Sequence, residues 1–326
     1  NVLAVVGMWW LGRTAWGKTA GLVAALLFAA SPYLVFYGRS IWSQNLLAPL
    51  AVLWAVAIVA GLKHNNPWLI GLHAFLAGFV GQIHFAGFAL ALASLWIGFR
   101  FRLWRWWTAV TAGLLLAGLM ALPTITLIWR SGDGAKAVIR DLLAEGTATE
   151  TDRFVAWRQL GQLGLAQDWE KFWLNVDWTW PQPLAAGLQI GSLLLVALVV
   201  IGAMWVLKRK TGNSLRTPVP VTRSPYTVFR WRLPESAPYG IPNTDYRIRI
   251  LNGFILAWAL AAPLLFMVPR TPVYLQYQLV GLPALFLLAA AAAAWPSRGW
   301  RAVVGGKAVV LPGFQGRAGG QNPPPR

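Results

Sequence analysis

Apolar residues arrive along this chain in runs of similar length, separated by short polar joints. The runs cover residues 1–12, 19–37, 44–62, 67–82, 84–99, 108–128, 185–207, 250–268 and 274–295. Most are close to the ~20 residues a helix needs to cross a ~30 Å hydrocarbon core, and the fourth and fifth are shorter. The pattern predicts an all-α protein, a polytopic bundle of about nine transmembrane helices. If the chain crosses at every run, its joints alternate between two sides, and charge tests that alternation. One side collects Arg13, Lys18, Lys63, Arg100, Arg102, Arg105, the bases of residues 208–249, Arg298, Arg301 and Lys307. The other holds only Arg39, Arg130, Lys136, Arg140, Arg153, Arg158, Lys171 and Arg270. The positive-inside rule makes the first side cytoplasmic. The acids agree, since all but Glu235 and Asp245 fall in residues 129–184 on the opposite side.

This arrangement divides the chain. Residues 1–128, with short joints, form one helical bundle. Residues 129–184 form an extracytoplasmic loop region. Within it, residues 135–145 carry Val138, Ile139, Leu142 and Leu143 on one helical face and Lys136, Arg140, Asp141 and Glu145 on the other. The later mixture of Trp and charge, from Asp168 to Trp180, fits the outer headgroup level. Residues 185–297 supply the C-terminal helices, interrupted by a cytoplasmic linker, 208–249, that is basic and rich in proline. Residues 298–326 form a basic tail, Gly/Pro/Arg-rich from Gly305 onward, whose composition predicts disorder.

Composition sharpens the picture. A net charge of +18 would point a soluble protein towards nucleic acid. Here the bases flank apolar runs in a chain that is 57% hydrophobic, so topology and anionic lipid account for them, and no nucleic-acid partner is expected. Trp9, Trp10, Trp42, Trp68, Trp104, Trp106, Trp107, Trp129, Trp205 and Trp295 fall at run ends, as an interfacial aromatic belt requires. With no cysteine, disulfides, thiolate nucleophiles and Cys-ligated metals are excluded. The three histidines include no His-x-x-x-His pair, so no histidine metal site is expected.

The unusual polar residues gather at the outer ends of the runs. Residues 31–45 form one outer turn, with Arg39, Gln44 and Asn45. Residues 81–84 form the next, with Gln82 and His84. Residues 269–277 form the last, with Arg270, Tyr274, Gln276 and Tyr277. Arg39, His84 and Arg270 thus stand at one depth, and such donors suit a phosphate or pyrophosphate, which Arg grips in bidentate fashion. Taken singly, each also fits a lipid anchor or a helix-end residue. His73 lies within a run, where an ionisable group is a functional candidate; a neutral imidazole bonded to a neighbouring helix explains it as well. Gly71, Gly78, Gly81 and Gly87 read as close helix packing. No Walker motif, dinucleotide fingerprint, nucleophile elbow or paired-carboxylate site occurs in the bundle.

These turns carry a family resemblance. Gly12, Arg13, Trp16, Lys18 and Gly21 lead to Ser31, Pro32 and Arg39, with Gly81, Gln82 and His84 following. Later, Thr271, Pro272, Tyr274 and Tyr277 run into Leu282, Pro283, Ala284 and Leu285. Spread over residues 1–297, these degenerate motifs resemble the GT-C glycosyltransferases, in particular the protein O-mannosyltransferase and aminoarabinose-transferase branch (glycosyltransferase family 39). The resemblance implies sugar transfer from a polyprenyl-phosphate-linked donor to an extracytoplasmic protein, lipid or glycan acceptor, in a cell membrane. It implies donor-phosphate roles for Arg39, His84 and Arg270, with Tyr274 and Tyr277 beside them. Gln44 stands where many relatives carry an acid, and marks the acceptor or metal vicinity. No cofactor is implied beyond a divalent cation in the full-length protein. The family's catalytic acid lies in its first outer loop, which is expected upstream of Asn1, so this stretch alone is expected to be inactive. The alternatives are a transporter or lipid flippase, which needs polar groups at mid-membrane, and a non-catalytic membrane scaffold subunit.

Overall fold

The structure is a computed structural model that describes residues 1–38, 43–134, 137, 154–159, 182–208, 244–267 and 275–294. For residues 182–189, 192, 208, 244–250, 275 and 276 the backbone alone is described. The expected outer helix at 135–145 (apart from Ala137), the Trp-rich run from 168 and the tail lie outside the described residues; of the expected linker 208–249, Lys208 and residues 244–249 are helical, belonging to Gln182–Lys208 and Thr244–Leu265, and the rest lies outside the described residues.

Every element among the described residues is helical, as the sequence predicts. The helices are α1 Val2–Trp16, α2 Lys18–Ala30, α3 Pro32–Tyr37, α4 Leu47–His64, α5 Pro67–Ile83, α6 Phe88–Phe101, α7 Trp107–Arg130, α8 Gln182–Lys208, α9 Thr244–Leu265 and α10 Leu282–Ala293. Short 3-10 turns occupy Ser43–Leu46, Phe85–Gly87, Leu103–Trp106 and Leu275–Val280. The joints follow local chemistry. Gly17, at φ 97°, lets α1 reverse directly into α2. Asn65 ends α4 in the left-handed region, and Asn66 caps α5 by accepting the N–H groups of Trp68 and Leu69.

Boundaries differ from the apolar runs where turn chemistry intervenes. The second run splits at Ser31, which is extended ahead of Pro32, because a residue before proline is pushed out of the α region. The helix of the fifth run, α6, begins at Phe88 and not at 84, because His84 is extended and a 3-10 turn follows it. The ninth run opens with the 3-10 turn Leu275–Val280, and α10 starts only at Leu282, with Pro283 in its first turn.

Specific contacts fix which helix ends lie together. Trp16 Nε1 donates to Asn252 Oδ1 of α9 at 3.1 Å, and its ring sits 6.5 Å from that of Trp205 in α8. Lys63, near the end of α4, lies over the Trp10 ring. Gly253 packs against Trp96, near the end of α6. At the opposite end, Phe85 meets Phe266, just past α9, and His84 meets Tyr277. Successive joints therefore alternate between a Gly17 end and a His84 end. Arg13, Lys18, Lys63, Arg100, Arg102 and Arg105 all belong to the Gly17 end.

Close backbone contact replaces side-chain interdigitation at several seams. A Cβ on Gly12 would come within 2.8 Å of Ala20 O, and one on Gly21 within 2.6 Å of Trp9 O, so α1 and α2 touch chain to chain. Gly71 lies against Ala109 O, Gly78 against the Ala117 methyl, and Gly113 against Gly71 O, which fastens α5 to α7. Gly202 meets Leu288 O where α8 crosses α10. The helix α10 is apolar and buried nearly all round, as a central helix should be. Its opposite is α7, which buries only Gly113 and Ala117 and leaves Leu115, Leu119, Ile125, Leu127 and Trp129 exposed. Two segments, Ser43–His64 and Leu103–Arg130, are long and apolar enough to cross a membrane. The other apolar helices are shorter over the residues whose side chains are described.

Candidate functional site

Three turns converge at the His84 end. In the first, His84 breaks the helical path after Ile83, with φ −156° and ψ 139°. The following 3-10 turn folds flat onto the last turn of α5. A Cβ on Gly87 would strike the Val80 carbonyl, and one on Gly81 would lie 2.8 Å from the Phe88 ring. The backbone N–H of Ala86 donates to His84 Nδ1 at 3.1 Å. An imidazole that accepts at Nδ1 is neutral and carries its proton on Nε2, so His84 serves as a neutral donor through that atom.

The second turn is Leu275–Val280, which packs against Phe85–Gly87. The Tyr277 ring meets His84 edge to face, 4.9 Å between centroids, and stacks on Phe266 at 5.4 Å. The far end of this turn is pinned by Trp258 Nε1, which donates to Val280 O at 2.8 Å. Gln278 is fully buried, and neither end of its amide has a partner among the described residues. The third turn, Ser43–Leu46, packs on the second and carries Gln44, whose side-chain oxygen is buried with no partner among the described residues. Gln82 faces away from this junction: its amide donates to Ala117 O of α7 at 2.7 Å.

Of the residues expected to form the site, His84 and Tyr277 are in contact, and the turn bearing Gln44 lies beside that of Tyr277. Arg39, Arg270 and Tyr274 lie outside the described residues. The chain leaves and re-enters the described bundle around them at Gly38 and Ser43, and at Met267 and Leu275. A lone amide oxygen at Gln44 is no replacement for the carboxylate set that a divalent cation requires, and no metal-binding cluster occurs among the described residues.

His73 is fully accounted for by packing. Its Nδ1 lies 3.2 Å from Trp54 O, which can only accept, so Nδ1 carries the proton and Nε2 accepts from Ser94 Oγ at 3.2 Å. Trp54 Nε1 then donates to the same Ser94 oxygen at 3.0 Å, and its indole stacks on the imidazole at 4.9 Å. The loop of bonds closes on itself and ties α4, α5 and α6 together. Ser94, Asn252 and Gln278 escape a sequence reading. A single hydroxyl or amide in an apolar run looks the same whether it faces lipid or a partner helix.

Compared with known protein families, curated proteins and solved structures, the chain matches none.

Proposed function

We propose that this chain belongs to a polytopic membrane glycosyltransferase that takes a sugar from a polyprenyl-phosphate donor at its extracytoplasmic, His84, end. The observation that carries the reading is the meeting of three polar turns, distant in sequence, at one end of the bundle. Membrane embedding is supported by α7, whose apolar side chains face outward on nearly every side. A helix of that kind is unsuited to water and suited to hydrocarbon. Orientation is supported by the bases at the Gly17 end.

In the reaction, an acceptor hydroxyl, losing its proton to the catalytic acid residue that the resemblance implies, displaces polyprenyl phosphate from the anomeric carbon, and negative charge grows on the departing phosphate. Nε2–H of His84 is a neutral donor suited to that charge, with Arg39 and Arg270 as its charged companions and Tyr274 and Tyr277 beside them. The buried oxygen of Gln44 accepts a hydroxyl donor from the sugar or acceptor. A transporter is less well supported, because its mid-depth polar group, His73, is closed into a local hydrogen-bond ring.

A photoreactive polyprenyl-phosphate hexose, cross-linked to the chain in membranes, tests the reading. Label is expected in peptides spanning residues 81–88 and 275–281. His84→Ala should reduce it roughly tenfold, the scale of losing one donor to a charged group. Label confined to other peptides, or unaffected by His84→Ala, would sink the proposal.

A further inference from the structure

The Gly17 end carries an arrangement that the donor site does not use. Two cations lie over adjacent rings of α1: the Arg13 guanidinium 4.9 Å above the Trp9 ring, and the Lys63 ammonium of α4 5.6 Å from that of Trp10. Such contacts orient a cation without neutralising it. Lys18 follows one residue after the Gly17 turn and is exposed. Asp133, past the far end of α7, is the only acidic side chain the structure describes. These three bases therefore face no described carboxylate at their own end.

What continues from the bases is apolar. Val2, Val6, Trp9 and Arg13 recur at spacings of four, three and four residues, one stripe along α1. Val2 is 79% exposed and Val6 54%. From Val2 to Arg13 the stripe rises about 16 Å, and its Arg13 end is the Gly17 end of the bundle. An apolar track ending in cations that meet no carboxylate among the described side chains, with Trp at the boundary, matches an amphiphile with an acidic head.

We propose that Arg13, Lys18 and Lys63, with Trp9 and Trp10 beneath them, bind the headgroup of an anionic phospholipid from the cytoplasmic leaflet, its acyl chain lying along Val2 and Val6. The proposal rests on the membrane reading and is independent of the donor site. A soluble phosphate would use the bases and leave the track bare.

The test is thermal unfolding of the purified chain in neutral detergent with added phosphatidylglycerol, phosphatidylcholine or inorganic phosphate. Phosphatidylglycerol should raise Tm by about 5 °C more than phosphatidylcholine, by mass action on the folded state. Arg13→Gln/Lys63→Gln should lose that difference, Arg13→Lys/Lys63→Arg should keep it, and Arg100→Gln/Arg105→Gln, at the same end on other helices, should keep it too. The proposal is overturned if Arg13→Gln/Lys63→Gln retains the difference, if the Arg100/Arg105 variant loses it equally, or if inorganic phosphate reproduces it. A chain that stays folded and monodisperse with no amphiphile at all would instead remove the membrane reading.

Discussion

At the scale of single residues, Ser94 supports more of the structure than its size suggests. One hydroxyl accepts from Trp54 and donates to His73, so removing it leaves both without their partner away from water. Each such orphaned group costs about 1–3 kcal/mol. Ser94→Ala should therefore lower stability by roughly 2–4 kcal/mol, although it deletes a single atom. His73→Ala should cost a similar amount, through the lost imidazole packing on Trp54. The two losses should be far from additive, because one bond is removed in both. Thermal unfolding of both single variants and the double variant checks this, and additive losses would dismiss the ring. A neutral, bonded His73 was legible in the sequence as one of two readings. Ser94 was not, since its role exists only where α4, α5 and α6 meet.

Among elements, α7 makes the sharpest contrast. It is fastened to α5 through Gly113, whose added Cβ would collide with the Gly71 carbonyl, whereas Gly118 has open space around it. Gly113→Ala should destabilise by roughly 1–3 kcal/mol through forced separation of the helices. Gly118→Ala should be neutral or gain up to about 1 kcal/mol from helix propensity. Equal effects at the two positions, read in the same unfolding assay, would contradict the seam. Helix-level structure was the most legible part of the chain. Each apolar run contains a helix, and Gly71, Gly78, Gly81 and Gly87 lie at close approaches as expected. The boundaries at His84, Ser31 and Gly281 were missed, because hydropathy does not register where a side chain caps a turn or a proline forbids a helix from continuing backwards.

For the whole molecule, the alternation of joints makes a claim about sides. Because the chain has no native cysteine, single cysteines report cleanly. An impermeant thiol reagent on intact cells should label Ser131→Cys and Thr149→Cys but spare Asn65→Cys and Ser224→Cys until the membrane is opened. The reverse pattern would invert the orientation and move the His84 end to the cytoplasm. The same alternation explains why the site was partly legible. Counting crossings assigns Arg39, His84 and Arg270 to one end without any structure, and His84 and the turn carrying Gln44 indeed belong to one end. Which side chains touch there is another matter: the contact of His84 with Tyr277 depends on how α5, α9 and α10 pack laterally, and a count of crossings contains no lateral information.

The burial of α10 bears on the order in which the protein comes into being. This helix is enclosed on almost every side, with α2, α4 and α8 among its neighbours, yet it is the last described helix to leave the ribosome. Until residues 282–293 emerge, those earlier helices lack the partner that Leu287, Leu288 and the alanines later supply, and on the proposed membrane reading lipid would occupy that place. Assembly of the bundle is in that sense postponed until α10 has been made, and, on the proposed membrane reading, a chain stopped short of Leu282 would stay an open set of helices with an unfilled centre.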